Sequence, residues 1–208
     1  MAAVDLVNAI VARHTSFKRK GKSVAIMTPF NHVARGISLD PTIGRNDAYY
    51  IGWFFFFPAR PFEGIDLGNG NRLGYGVWDV TNATAIAEAV AAIESEAMPK
   101  LERSSTPEGA LELLLSRPQE YRLERWYEEY AYALAVLGRW KEALNALDDM
   151  RAASKGDQRS WAVEMRAKAD RLHDAIQLGP DAVRTLIAEN ERYSLGKCHL
   201  AKLLLDSE

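Results

Sequence analysis

The chain has 208 residues, a length that suits either one composite domain or a domain followed by a helical extension. Its 26 Lys and Arg residues against 28 Asp and Glu residues leave a net charge of -2, so no excess of positive charge is present to attract nucleic acid or an anionic membrane surface. The single cysteine, Cys198, excludes an internal disulfide and favours a reducing compartment.

The N-terminal stretch MAAVDLVNAIVARH predicts an amphipathic helix. Val4, Val7 and Ile10 recur at helical spacing, with Asp5 and Asn8 between them. The stretch has no basic start and carries Asp5 inside its apolar run, so it lacks the pattern of a signal peptide. We therefore expect a cytoplasmic protein.

Short strand signals follow this helix. A basic turn at residues 18–22 leads into a β-type segment around residues 24–27, and HVARGISL predicts the next strand. The residues DPTIGRND then supply proline, glycine and Asx side chains, which are typical of turns.

The segment YYIGWFFFFPARPF carries a dense run of aromatic residues. Its apolar run is about half of the roughly 20 residues that a membrane helix requires. As a strand it places Trp53 and Phe55 on one face, and it places Phe54 and Phe56 on the other. Because both faces are apolar, we predict a central strand covered on both sides, with Trp53, Phe55 and Phe57 in the core.

After this strand the signals change from turns to helical periodicity. Asn69-Gly70 predicts a tight hairpin turn, and the glycines around it lack the Lys-Ser/Thr pair of a phosphate-binding loop. Helical spacing begins near Asn82, and Thr106-Pro107 predicts the start of another helix.

The C-terminal half is predicted to be entirely helical, since no strand signal follows residue 80. Two helices are separated at Gly138, and a long helix runs through Trp161. Gly179-Pro180 then begins a final pair of helices.

The segment YEEYAYALAVLGRWKEALNALDDM resembles one tetratricopeptide repeat. Gly138, Trp140 and Ala143 match the glycine, aromatic and alanine of that pattern, and Ala131 allows two helices to approach closely. The likeness covers one repeat of roughly 34 residues, whereas arrays need about three repeats to stand alone. It implies one helical hairpin docked on neighbouring helices, with a protein-binding groove as the alternative.

The front half resembles an uncharacterised family of bacterial domains of unknown function. Residues 17–21 match its FKRKG-type turn, Arg72 and Trp78 lie in a later matching element, and AMPKLERSSTPEGALELL matches another. The likeness spans residues 4–115 and implies a helix followed by a small antiparallel sheet. It implies no established activity, so no catalytic residue is carried over.

These signals together predict an α+β fold. A small antiparallel sheet covered by helices is followed by an all-helical C-terminal half with a tetratricopeptide-like hairpin. The predicted domains are residues 1–116 for the α+β part and residues 117–208 for the helical part.

Patterns typical of catalysis or metal binding are missing from the sequence. The four histidines are dispersed, and neighbouring side chains such as Cys198 and His199 diverge by about 100° on a helix. No HExxH, GxSxG or P-loop pattern occurs. The acid pair Glu128-Glu129 lies among basic residues, which predicts ion pairing on a solvated helix face. We therefore expect no catalytic residue, no cofactor and no metal.

Aromatic residues supply the candidate partner surface. The helix that begins near Tyr121 carries more Tyr and Trp than one buried stripe can absorb, and these side chains are common interface anchors. The predicted contacts are Tyr121, Trp126, Tyr127 and Tyr130.

The sequence thus favours a non-enzymatic bacterial protein-interaction module of the immunity or adaptor type. Its expected partner is another protein, a homo-oligomer is left open, and nucleic acid and membrane partners are not expected. The alternative is a small-molecule-binding or enzymatic domain. Its pocket would lie between the aromatic sheet and its covering helices, with Arg60, Arg72 and Trp78 at the rim.

Overall fold

The computed structural model describes residues 2–45, 47–74, 76–118 and 124–202. An antiparallel sheet lies in the N-terminal half, and helices form the C-terminal half. The predicted α+β class is therefore confirmed.

The chain divides into two compact units. The sheet unit contains Met1–Phe56 and Asp66–Thr106, whereas the helical unit contains Phe57–Ile65 and Pro107–Ala201. Two features of this division differ from the sequence-based boundary after residue 116. The helix that begins at Pro107 groups with the helical unit, and so does the segment Phe57–Ile65, which lies between two strands in the sequence.

Six strands form one antiparallel sheet within the described residues of the sheet unit. They are β1 (Phe17–Lys20), β2 (Val24–Met27), β3 (Ala34–Pro41), β4 (Ala48–Phe56), β5 (Asn69–Arg72) and β6 (Trp78–Asp79). Their order is β1-β2-β3-β4-β5, and β6 pairs with the first residues of β4.

β4 is the central aromatic strand that the sequence predicted. It pairs with β3 along one edge, and with β5 and β6 along the other. Trp53 stacks beside Phe55 with ring centroids 6.2 Å apart, and Phe54 stacks beside Phe56 at the same spacing. All four rings are buried, which confirms a strand covered on both faces. Phe57 is buried as well, but it follows the strand and belongs to the helical unit.

The sheet unit contains the helices α1 (Ala2–Arg13), α2 (Ala83–Ala92) and α3 (Met98–Arg103). α1 packs on β1 and β2 and buries Val7 and Ile10, as its amphipathic pattern predicted, and it buries Leu6 as well. Asn82 is the N-cap of α2, because its side chain accepts a hydrogen bond from the Ala85 amide at 3.0 Å. A π-helical turn, Ile93–Ala97, links α2 to α3, which packs against β4.

Two local predictions in the sheet unit are wrong. Asn69-Gly70 is not a turn but the start of β5, where Gly70 pairs with Phe54. A Cβ atom at Gly70 would lie 1.8 Å from the carbonyl oxygen of Trp53, so this glycine serves close approach of two strands. Residues 18–20 belong to β1, and the turn that follows them contains Gly21 at a φ of 64°.

The helical unit contains α4 (Pro107–Leu115), α5 (Glu124–Val136), α6 (Trp140–Ala153), α7 (Ser160–Leu178) and α8 (Pro180–Lys197). α5 and α6 pack together, and residues 137–139 link them with Gly138 at a φ of 71°. Since the link is so short, the two helices run antiparallel. Ala131 and Ala143 are fully buried, as expected for the small residues of a close hairpin.

α7 and α8 form a second packed pair, separated by Gly179 at a φ of 110°. The sequence predicted a final pair of helices after Gly179. α8 is the first of them, and residues 203–208, on which the second prediction falls, lie outside the described residues. None of the helices in the described ranges combines the length and the hydropathy needed to cross a bilayer.

We predict that Phe55→Ala lowers the free energy of unfolding by about 3 to 5 kcal/mol, because the ring is buried and its loss leaves a cavity. Urea denaturation of the full chain measures this. Ile43→Ala is the control, since Ile43 is fully exposed and its change should stay within about 0.5 kcal/mol. Equal denaturation midpoints for the two variants would contradict the burial of β4.

We predict that Ala143→Leu destabilises the α5/α6 hairpin by about 1 to 3 kcal/mol, because the added side chain overpacks a fully buried position. Thermal or urea unfolding measures the loss. Asn145→Leu places the same side chain on an exposed position of the same helix, and it should leave stability nearly unchanged. An unchanged midpoint for Ala143→Leu would mean that the hairpin is not closely packed.

Candidate functional site

The segment Phe57–Ile65 leaves the sheet because of its prolines. Pro58 and Pro61 carry no backbone N–H, so they cannot continue the hydrogen-bond ladder of β4. The Arg60 amide donates to the Phe57 carbonyl at 3.0 Å, which turns the chain locally. The remaining backbone groups need partners from outside the segment.

Side chains of α5 and α8 supply these partners. The Phe57 amide donates to Oε1 of Glu129 at 2.9 Å, and Nδ2 of Asn190 donates to the Ala59 carbonyl at 2.9 Å. The Ser194 hydroxyl accepts from the Phe62 amide at 3.3 Å and donates to the carbonyl of residue 60 at 3.2 Å. The helical unit therefore holds a non-helical turn of polypeptide by its backbone.

Arg60 is buried among carboxylates of α5. Its Nε donates to Oε2 of Glu129 at 2.5 Å, and its Nη1 donates to Oε2 of Glu128 at 3.2 Å. The guanidinium also lies over the ring of Phe62, 5.3 Å from its centroid. All three charged side chains of this cluster are buried, so their charges act in a medium of low polarity.

One oxygen of the cluster lacks a hydrogen-bond donor. Oε1 of Glu128 has no hydrogen-bond partner among the described residues, although Glu128 is only 3% exposed. Burial raises the pKa of Glu128, while Arg60 and Lys168 act in the opposite direction. Both oxygens of Glu129 accept hydrogen bonds, one from the Phe57 amide and one from Arg60. The oxygen without a donor therefore belongs to Glu128.

Glu128 lines a cleft of about 880 Å³ within the helical unit. We call this the Glu128 cleft. Its walls are formed by α5, α7 and the segment Phe57–Ile65. The lining side chains include Arg60, Phe62, Glu128, Trp161, Met165 and Lys168. Arg60 and Glu128 are buried at its inner end, whereas Trp161 is 42% exposed at its opening.

Charged side chains around the opening are paired with one another. Nζ of Lys168 lies 2.7 Å from Oε1 of Glu164, and the Arg159 guanidinium stacks over Trp161 at 4.7 Å. Arg159 also binds Asp157 at 2.6 Å, and these hydrogen bonds lower the pKa of Asp157 to about 2. The mouth of the cleft therefore presents compensated charge, in contrast to its inner end.

The predicted rim residues lie in different units. Arg60 belongs to the helical unit and is buried, so it is not a rim residue, whereas Arg72 and Trp78 belong to the sheet unit. The Arg72 guanidinium lies over the Tyr50 ring at 3.8 Å and lines a hollow of about 260 Å³ on the sheet. The Trp78 indole donates to the Leu73 carbonyl at 3.2 Å.

The predicted partner residues have mixed environments. Tyr121 lies outside the described residues. Trp126 is buried, and its indole donates to the Leu114 carbonyl at 3.1 Å, so it is part of the core. Tyr130 stacks on Trp126 at 4.8 Å and Tyr127 meets it edge-on at 5.2 Å; both tyrosines are half-buried. Their contact with a partner stays a prediction.

The predicted solvated position of Glu128-Glu129 is wrong. Both side chains are buried, and their counter-ion Arg60 lies 68 and 69 residues away in the chain. One signal could have indicated the burial of Glu128. It precedes Tyr132 by one helical turn, and that ring is fully buried with its hydroxyl donating to the Lys168 carbonyl at 3.2 Å.

Within the described ranges, no cluster of His, Cys, Asp and Glu side chains could hold a metal ion. No family model matches the chain, and no curated protein or solved structure is significantly similar to it. The function is therefore argued from the Glu128 cleft itself.

We predict that Glu128→Gln gains stability relative to the natural chain as the pH rises. Between the ordinary glutamate pKa of about 4.3 and the raised pKa of Glu128, the native state keeps a proton that the unfolded chain has released. The free energy of unfolding of the natural chain therefore falls by about 1.4 kcal/mol for each unit by which the pKa of Glu128 is raised, and that of the Gln variant does not fall.

Urea unfolding between pH 4 and pH 8 measures this difference. Glu164→Gln on the exposed edge of the same cleft is the control for overall stability, with a change within about 0.5 kcal/mol at neutral pH. A stability difference for Glu128→Gln that stays constant or reverses with rising pH would contradict the raised pKa.

Proposed function

We propose that the protein is a non-catalytic protein-interaction module, cytoplasmic and of the immunity or adaptor type, whose Glu128 cleft binds a non-helical segment of another protein. The single observation that carries this proposal is the way the helical unit holds residues 57–62. α5 and α8 bind that stretch through its backbone, and α5 carboxylates bind its arginine.

This mode of binding is the one that peptide recognition requires. Hydrogen bonds to backbone groups hold an extended chain whatever its sequence, and pockets for particular side chains add specificity. Asn190 and Ser194 make the first kind of contact, and the acidic pair Glu128-Glu129 makes the second.

The Glu128 cleft extends this binding surface beyond the chain's own segment. Phe62, Trp161 and Met165 give it apolar walls, and a half-exposed tryptophan stacked by arginine is a frequent interface anchor. Its volume is sufficient for several side chains of a partner. The tetratricopeptide resemblance of the α5/α6 hairpin, for which a protein-binding groove is the alternative to a docked hairpin, is compatible with the same proposal.

A second candidate function is small-molecule or enzymatic chemistry in the same cleft. The observation in its favour is the raised pKa of Glu128, since a buried carboxyl of that kind is a typical general acid or base. The described residues that line the cleft include no Ser, His or Cys nucleophile. Recognition is therefore favoured over turnover.

We predict that p-benzoylphenylalanine in place of Trp161 forms one discrete crosslinked adduct with a partner protein when the full chain is irradiated in its native host. Val163 is a matched control position, because it lies on the same helix with 46% exposure and does not line the cleft. Mass spectrometry of the adduct locates the attachment on both proteins. No adduct from position 161, or the same adduct from both positions, would contradict binding at the cleft.

A further inference from the structure

The buried end of the Glu128 cleft shows what kind of group is missing there. Oε2 of Glu128 accepts from Arg60, and Oε1 has no partner among the described residues. A buried carboxylate oxygen without a donor is unfavourable, and native proteins usually satisfy such groups. Oε1 of Glu128 therefore requires a hydrogen-bond donor, preferably a charged one.

The basic side chains near the buried end of the cleft do not donate to this oxygen. Arg60 directs its Nε to Glu129 and its Nη1 to the other oxygen of Glu128. Nζ of Lys168 lies 2.7 Å from Glu164, and Arg125 also lines the cleft without a hydrogen bond to Oε1. A bound molecule can supply the donor that Oε1 lacks.

The charge of the cluster selects a cation. An anionic group beside Oε1 would meet the carboxylates of Glu128 and Glu129, which adds repulsion in a medium of low polarity. A positively charged donor satisfies Oε1 and adds an attractive interaction with the Glu128 carboxylate. The chain demonstrates the same chemistry with Arg60, which meets carboxylates at its nitrogens and an aromatic ring at its face.

The walls of the cleft suit the carbon stem of a long basic side chain. Phe62 and Met165 offer apolar surface, and Trp161 offers a ring face of the kind that attracts ammonium and guanidinium groups. Lysine and arginine bury their methylene stems along such surfaces while their charged ends reach polar partners.

We infer that the Glu128 cleft is a subsite for a lysine or arginine side chain of the bound protein, with an N–H of that side chain donating to Oε1 of Glu128. The inference rests on the proposed function, since it names the chemistry of the partner that the cleft binds. Glu128 supplies the specificity, and the backbone-binding side chains supply the rest of the affinity.

The first test uses small probes on the full chain. Nα-acetyl-arginine methylamide and Nα-acetyl-lysine methylamide are titrated at neutral pH, beside the neutral citrulline and norleucine analogues. The carboxyl ¹³C shift of Glu128 and the indole ¹⁵N–¹H signal of Trp161 report binding at the site. We expect saturable shifts with the two basic probes, and affinity about tenfold or more lower for the neutral analogues.

Two variants separate charge recognition from general changes in the cleft. Glu128→Gln should weaken binding of the basic probes by about tenfold or more, because it removes the charge and keeps the shape. Glu142→Gln removes a carboxylate that is paired with Arg139 on the exposed face of α6 and does not line the cleft, so it should change the affinity by less than about twofold. Equal binding of arginine and citrulline probes, or equal loss in both variants, would overturn the inference.

The crosslinked adduct from position 161 distinguishes failure of this inference from failure of the proposed function. If the adduct forms equally well with and without Glu128→Gln, the basic subsite is wrong and the protein-binding function stands. If no adduct forms but the probes bind in a Glu128-dependent way, the protein-binding function is wrong. The cleft would then take a free amine or guanidine instead of a protein side chain, which overturns the inference as well.

Discussion

Arg60 is the charge on which the helical unit depends. Its guanidinium neutralises buried carboxylates on α5, and its carbonyl oxygen receives the Ser194 hydroxyl from α8. Removing one partner of a buried ion pair typically costs about 3 to 5 kcal/mol, because the remaining charge is left in a medium of low polarity. The segment Phe57–Ile65 is therefore part of the architecture of the helical unit, although it looks like a connection between strands in the sequence.

The prolines explain why helices receive this segment. A strand exchanges both N–H and C=O groups with its neighbours, and Pro58 and Pro61 remove the donors that such pairing would need. The remaining groups are a few isolated donors and acceptors, which side chains can satisfy individually. Glu129 accepts from the Phe57 amide, Asn190 donates to the Ala59 carbonyl, and Ser194 adds two further contacts, so single side-chain hydrogen bonds replace a ladder.

Local patterns predicted those features of the fold whose causes are local. The aromatic strand β4 follows from a short run that is apolar on both faces, and the α5/α6 hairpin follows from Gly138 between two helical periods. The turn prediction for Asn69-Gly70 failed because its glycine is needed for close contact with Trp53 in another strand. The prediction for Glu128 and Glu129 failed because the charge that permits their burial is far away in the sequence. Arg60 was predicted at the rim of a pocket, but its pairing with α5 could not be predicted because the contact is not local.

Glu128 connects the stability of the fold with its capacity to bind. In the absence of a second cation, burial favours the protonated carboxyl, which is why its pKa is raised. A bound ammonium or guanidinium group favours the ionised carboxylate, and it therefore lowers that pKa and releases a proton. The affinity for a basic group should consequently rise with pH until Glu128 is ionised in the free protein. A buried carboxyl whose second oxygen has no hydrogen-bond donor is unfavourable in a purely structural core. The same carboxyl suits a site that recognises positive charge.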